Sequence, residues 1–190
     1  MPTPDTYRPR ILELCAGYGG IGLAVEPLVG GHVTHVAEVT AHACKILADR
    51  FPGAVNIGDV TEFDWSGLVG RIDVVTAGFP CQDISNAGKR EGINGKRSGI
   101  WKQVAEAVGT LRPRYVFLEN VAVIRTRGLD VVASDLAEVG YDLRWTTLRA
   151  SDVEAAHHRS RWFGLATPAV SHAEGVGRTA WWSQSEERQG

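Results

Sequence analysis

Ile72-Asp73-Val74-Val75-Thr76-Ala77-Gly78-Phe79-Pro80-Cys81-Gln82-Asp83-Ile84-Ser85 is the stretch from which the fold is read. Its apolar run, Ile72 to Ala77, reads as a strand buried in a parallel sheet. Gly78 and Pro80 end it, so the chain turns where Cys81 stands. In an open α/β sheet, ligands bind in the crevice beyond the carboxyl ends of the strands. A thiol held there by a rigid proline is presented to a ligand, whereas a structural cysteine more often sits inside a strand or helix.

Outward from this stretch, strand and helix patterns alternate. Strands are predicted at Ile11 to Leu14, His32 to Ala37, Ala54 to Ile57, Ile72 to Ala77 and Tyr115 to Leu118. Helices are predicted at Gly20 to Leu28, Ala41 to Arg50, Ser98 to Leu111 and Leu129 to Val139, the last stopped by Gly140. Tyr141 to Leu148 and Arg161 to Ala166 read as a late antiparallel pair. Strands separated by helices imply an α/β fold with a doubly wound, mostly parallel sheet. Residues 1–167 form the predicted domain, and 168–190 have the composition of a linker or tail. Gln82 to Arg97 is a long polar loop inside a compact domain, which is usually functional.

The bulk properties set limits. A chain of 190 residues supports one domain with a sizeable core. Its net charge of −2 excludes a general polycation, so nucleic-acid contact requires a local basic patch. Three cysteines, Cys15, Cys44 and Cys81, follow neither a disulfide nor a metal-site spacing, which favours a reducing compartment. Met1 to Arg10 lacks the apolar core of a signal peptide, and no apolar run is long enough to span a membrane.

Three constellations carry chemistry. The first is Glu13-Leu14-Cys15-Ala16-Gly17-Tyr18-Gly19-Gly20-Ile21-Gly22, a glycine-rich turn between a strand and a helix. Such a turn lets backbone approach a ligand closely. Glu38, ending the second strand, could accept hydrogen bonds from two ribose hydroxyls, and Asp59, ending the third, could reach an adenine amino group. A tight turn with surface carboxylates is the plainer account, but the Gly turn together with Glu38 favours a nucleoside pocket, without separating a nicotinamide cofactor from S-adenosylmethionine.

The second is Leu118-Glu119-Asn120-Val121, expected at the end of the fifth strand. Glu119 there lies one strand from Cys81, and partial burial would raise its pKa and let it carry a proton. A helix N-cap is the bland alternative. The third is His157-His158-Arg159-Ser160-Arg161-Trp162-Phe163. Arg159 and Arg161 share a face in extended chain and suit phosphate or carboxylate recognition. Adjacent histidines point opposite ways, so they are read as solvated or hydrogen-bonded, and no metal is expected.

These segments, in order and with their spacing from Arg10 to Ala166, resemble the catalytic part of the DNA (cytosine-5)-methyltransferase family. The resemblance implies the S-adenosylmethionine-dependent methyltransferase sheet, Rossmann-like with an antiparallel seventh strand. It implies S-adenosyl-L-methionine as cofactor, contacted at Cys15, Ala16, Gly17, Tyr18, Gly19, Gly20, Glu38, Val39, Asp59, Val60 and Pro80. It assigns Cys81 as the nucleophile toward carbon 6 of a cytosine flipped out of duplex DNA, with Glu119 at ring N3, Arg161 helping to hold the base and Arg159 supporting Cys81 and the base electrostatically. Gln82, Ser85, Lys89, Arg90 and Arg97 are the expected DNA contacts, on a Gly-containing loop suited to a mobile lid. The resemblance also implies a cytoplasmic or nucleoid-associated protein of a prokaryotic or phage-infected cell, with restriction-modification, phage self-protection and regulation all open as host roles.

The chain departs from the family pattern at Cys15, where Phe is common, at Val39, where Trp is common, and at His157, where Gln is usual. Ala169 to Gly190, with Trp181-Trp182, are too short for the family's target-recognition region. A truncated chain, a split enzyme whose second polypeptide carries recognition, and a degenerate remnant all stay open. So do a non-catalytic binding subunit and methylation of RNA at the same carbon. A nicotinamide oxidoreductase leaves Pro80-Cys81 beside Glu119 unexplained. A thiol hydrolase lacks a histidine in the Cys81 or Glu119 motifs.

Overall fold

A computed structural model describes residues 7–80 and 99–170. Within them the elements run β1 (Arg10–Leu14), α1 (Gly20–Val29), β2 (His32–Ala37), α2 (Ala41–Arg50), β3 (Val55–Asn56), β4 (Val74–Ala77), α3 (Gly99–Leu111), β5 (Tyr115–Val121), α4 (Leu129–Glu138), β6 (Tyr141–Arg149) and β7 (Ser160–Pro168), with short 3-10 turns at Trp65–Leu68, Ala122–Thr126 and Ala150–Val153. The strands form a single seven-stranded sheet in the order β3-β2-β1-β4-β5-β7-β6. β1 to β5 pair in parallel, and β7 runs antiparallel to both β5 and β6. The doubly wound sheet and its antiparallel last strand follow the expectation from sequence.

Side-chain alternation along the central strands sorts the core into two faces. Leu12, Leu14, Val75, Ala77, Val116 and Leu118 pack with Trp101, Val104 and Val108 of α3 and Val132 and Leu136 of α4. Ile11, Val33, Val36 and Val74 pack on the other face with Val25 of α1, Leu47 of α2 and Phe51. Every residue of β4 is buried, which is why its sequence shows no polar alternation.

Several boundaries differ from the sequence reading, and three of the differences have a clear physical cause. β3 shrinks to two exposed residues at the sheet edge, because the Ala54 N–H is spent on a turn to the Phe51 carbonyl. β4 starts at Val74, since the carboxylate of Asp73 caps the strand's entry by accepting from the Arg10 backbone N–H (2.7 Å) and Nε (3.0 Å). β5 continues to Val121, because antiparallel β7 keeps pairing with it through Val121↔Arg161. Glu119 is therefore inside β5, opposite Phe163, and not beyond the strand's end.

Candidate active site

The strand order reverses between β1 and β4, since β2 and β3 lie on one side of β1 and β5 on the far side of β4. The loops after β1 and β4 diverge there and open a crevice. The glycine-rich loop leaves β1 into this crevice, and Gly78-Phe79-Pro80 leaves β4 into it. Cys81 itself lies outside the described residues, as do Gln82, Ser85, Lys89, Arg90, Arg97 and the Trp181-Trp182 pair.

Pairing of Ala77 with Leu118 sets Gly78 beside Glu119. A methyl group on Gly78 would sit 3.6 Å from Glu119 Oε2. The Glu119 carboxyl thus lies beside Gly78, which precedes Cys81 by three residues, on the adjoining strand. Its Oε1 is 2.6 Å from Arg161 Nε, and both side chains are about three-quarters shielded from solvent. Burial pushes the Glu119 carboxyl above its usual range, while the charge of Arg159 pulls it down. Both arginines singled out from sequence therefore bear on this carboxyl, Arg161 by contact and Arg159 through its field. Arg159 precedes β7 and is exposed, its backbone N–H donating to His157 Nδ1 at 3.3 Å. His158 Nδ1 lies 3.3 Å from Ser151 Oγ, in keeping with hydrogen-bonded histidines.

Asn120 is a site residue that the sequence reading left without a role. Its Nδ2 donates to the Phe79 carbonyl (3.0 Å), and its Oδ1 accepts from the Val121 N–H (2.8 Å). Buried at 3% exposure, it ties the strand bearing Glu119 to the loop that leads into Pro80 and Cys81. Phe79 anchors the same loop by packing its ring 4.8 Å from that of Trp101.

Of the residues expected to meet a cofactor, Glu38 is tied to the first loop through the Gly17 N–H. Gly19 caps α1 in the left-handed region (φ 78°), and a side chain there would also run into the ring of Phe51. Gly17 (φ 53°) and Gly20 face open space, as a cradle for a ligand requires. Glu38 is more heavily engaged than expected: Oε2 accepts from the Gly17 N–H (2.8 Å), and Oε1 from those of Val39 (3.0 Å) and Thr40 (2.7 Å). Burial opposes the charge, but these bonds outweigh it and hold the carboxyl below its usual range. Among the described backbone groups, Gly17 alone donates to Oε2, which leaves that oxygen room to accept from a hydroxyl.

Asp59 Oδ1 accepts from the Thr61 N–H and hydroxyl, both at 2.8 Å, which lowers its pKa. Val39 and Tyr18 are exposed apolar flanks, at 68% and 58%, and Pro80 is exposed too. Ala16 is buried, and Cys15 is intermediate and adopts φ 53°. The Val60 side chain is buried in the core, which leaves its backbone as the group available to a ligand. Taken together, the open glycines and the two carboxylates fit a nucleoside cofactor.

Glu13 is the second residue that was quoted but not assigned. It lies on β1 with its carboxyl under the start of α1, at 1% exposure, and Oε1 accepts from the Ile21 N–H at 3.2 Å. A charged residue between Leu12 and Leu14 was the available signal. A cavity of about 500 Å³ runs from Glu13 past Cys15, Ile21 and Gly78 to Glu119 and Phe163.

The family model for C-5 cytosine-specific DNA methylases matches residues 9–185. The chain belongs to that family. The match continues into the segment read from sequence as a tail. Among curated relatives, the type II methyltransferase M.CviJI of Paramecium bursaria Chlorella virus IL3A is 42% identical over 160 residues, spanning 83% of this chain and 42% of that protein. The type II methyltransferase M2.BsuMI of Bacillus subtilis (strain 168) is 34% identical over 167 residues, again 83% and 42%. The chain thus spans less than half the length of these relatives. Among solved structures, S. pombe Dnmt2 methyltransferase superposes with a TM-score of 0.71 at 20% identity, covering 90% of this chain and 57% of that one. A mutant of Spodoptera frugiperda DNMT2 gives 0.71 at 19%, covering 90% and 53%. These likenesses carry the fold. Among the described residues no helix is long and apolar enough to cross a membrane, and no group of three or more metal-type ligands stands together.

Proposed function

We propose that this chain is the catalytic and cofactor-binding part of an enzyme that methylates carbon 5 of cytosine in DNA through a covalent bond to Cys81. The observation that carries the reading is the Glu119 carboxyl, paired with Arg161 and lying against Gly78 at the root of the Cys81 loop. Carbon 5 of cytosine is a poor nucleophile. Addition of a thiolate to carbon 6 turns the ring into an enamine whose carbon 5 is nucleophilic. Negative charge from that addition spreads to N3 and the exocyclic oxygen. A carboxyl whose pKa is raised by burial can protonate or hydrogen-bond N3 at that moment. Arg161 fixes the carboxyl's orientation, and Arg159 adds positive potential near the base. Asn120 holds the root of the loop that leads to Cys81, beside the strand that carries Glu119. Loss of the carbon 5 proton and elimination of the thiolate complete the cycle.

S-adenosylmethionine supplies the electrophilic methyl group when bound. Gly17 to Gly20 would receive its backbone-like end, Glu38 its ribose hydroxyls, and Asp59 its adenine, with Val39 and Tyr18 flanking the ring. Gln82, Ser85, Lys89, Arg90 and Arg97 would meet the DNA. Recognition of the target would come from a region outside the present chain or from a second polypeptide. The cell compartment proposed is the cytoplasm or nucleoid.

The test is trapping. A duplex with 5-fluorocytosine at the target position cannot lose its carbon 5 substituent, so the thiol adduct accumulates. The protein, together with whatever region supplies target recognition, is expected to give an adduct stable to denaturation and mapping to Cys81 by peptide mass. An undiminished adduct with Cys81→Ser overturns the role of Cys81. Trapping on 5-fluorocytosine RNA but not DNA would replace the substrate.

A further inference from the structure

Glu13 Oε2 is buried and, among the described residues, makes no hydrogen bond. Thr76, directly across the β1–β4 ladder, presents a second buried oxygen, Oγ1, which also lacks a hydrogen-bond partner among the described residues. The backbone of Gly22 closes over the carboxyl so tightly that a methyl group there would overlap Oε2. Among the described residues the Ile21 N–H donates to Oε1, and the Gly22 N–H bears on the carboxyl without a hydrogen bond of good geometry. Yet the same side chain lines the cavity shared with Cys15, Gly20 and Glu119, the space where the proposed cofactor would enter. An anion buried with so few partners is costly, and it is relieved either by a proton or by a nearby positive charge.

We infer that Glu13 is a proton-linked positioning residue: it holds a proton in the empty site and releases it when a cationic cofactor occupies the loop from Cys15 to Gly20. This rests on the cofactor assignment above. Desolvation pushes the Glu13 carboxyl to about 7, with the Ile21 and Gly22 N–H groups opposing it. The charged groups bearing on it are Arg50 at the end of α2, which favours ionisation, and Glu26 on α1, which disfavours it. β4 contributes only the neutral Thr76, while β5 brings Glu119 to the far wall of the cavity. Among the described residues no cation makes an ion pair with the carboxyl; Arg50 acts on it only through its field. A sulfonium brought into the cavity supplies that missing charge, whereas the neutral thioether of the demethylated product does not.

Binding of the cation and loss of the proton then favour each other by the same factor. Cofactor affinity is expected to rise about fivefold between pH 6 and pH 8 for a downward shift of about one unit in the carboxyl. S-adenosylhomocysteine is expected to show at most a twofold change.

Calorimetry in buffers of different ionisation heat counts the protons directly. Near pH 7, S-adenosylmethionine should release close to half a proton from the wild type and almost none from Glu13→Gln, which keeps the side chain's shape without a titrating group. In ligand-free protein, ¹³C NMR of labelled glutamate should show a carboxyl, missing in Glu13→Gln, that titrates near neutrality. Equal heats in all buffers for the wild type, or proton release that persists in Glu13→Gln, overturn the inference. If Glu13→Gln does not fold, the wild-type buffer series and the comparison with S-adenosylhomocysteine decide alone. Failure of both ligands to bind overturns the cofactor assignment itself, a different result from binding without proton release.

Discussion

Arg161 Nε stands 2.6 Å from Glu119 Oε1, although the ladder sets Arg161 opposite Val121 and Glu119 opposite Phe163. The pair is a diagonal contact on one face of β5 and β7, closed by a long guanidinium stem. Its consequence is orientation more than stability, because both side chains keep some contact with water. Glu119→Gln is expected to slow single-turnover methylation by about 10²–10⁴-fold, the usual scale of proton-transfer catalysis. Cofactor affinity should stay within a few-fold of wild type. A near-normal rate in rapid-quench assays would remove Glu119 from the chemistry.

Arg161→Ala leaves the half-buried Glu119 with only the field of Arg159. The carboxyl should then ionise at higher pH than in the wild type. The pH profile of the methylation rate is expected to move toward alkaline pH, with a drop at the optimum of roughly tenfold or more. Arg161→Lys should restore charge but not the Nε geometry, and hence recover the rate only in part. An unmoved profile in Arg161→Ala would show that the pair does not set the carboxyl's ionisation.

Asn120→Ala should act at a distance from the reacting atoms. It strips the buried Phe79 carbonyl and the Val121 N–H of their partner, a loss of about 1–3 kcal/mol in urea unfolding. The root of the Cys81 loop loosens with it, so the trapped-adduct rate should fall by about 10²-fold, the scale of a small misplacement. A stability loss with an unchanged adduct rate would make Asn120 structural only.

Gly22→Ala forces a methyl group onto Glu13 Oε2, and 2.9 Å from Val33 Cγ2. Overpacking of this kind costs about 1–3 kcal/mol, which urea unfolding measures. Gly17→Ala meets open space and pays only the strain of φ 53°, about 1 kcal/mol. Its larger effect should be on cofactor affinity, through the ligand-facing surface it crowds. The opposite ranking in stability would contradict the packing under α1.

Glu13 also ties stability to pH. With a folded value near 7 against 4.5 when unfolded, the native state holds more protons than the unfolded chain between these limits. Unfolding free energy contributed by this group is full below about pH 4.5 and falls as pH rises toward 7, by about 3 kcal/mol in all. Glu38 has the opposite sign: its lowered pKa contributes stability above the unfolded value that is lost as pH falls. Denaturation series on Glu13→Gln and Glu38→Gln across pH 4 to 8 should therefore flatten opposite limbs of the profile.

The sequence by itself determined the alternation of strands and helices, the glycine turn after β1, and the group of residues that would share a crevice. Those features are local: apolar period, glycine and proline punctuation, and residue order all act within a few positions. Tertiary pairing decided the rest. β5 reaches Val121 only because β7 lies against it, and that extension put Glu119 within reach of Arg161. Glu38 spends its carboxylate on three backbone N–H groups that the fold brings around it. Glu13 and Asn120 look unremarkable as letters, because nothing local says whether a polar side chain between apolar neighbours is buried. Burial turns Asn120 into a tie between two strands, and Glu13 into a carboxyl that titrates near neutrality.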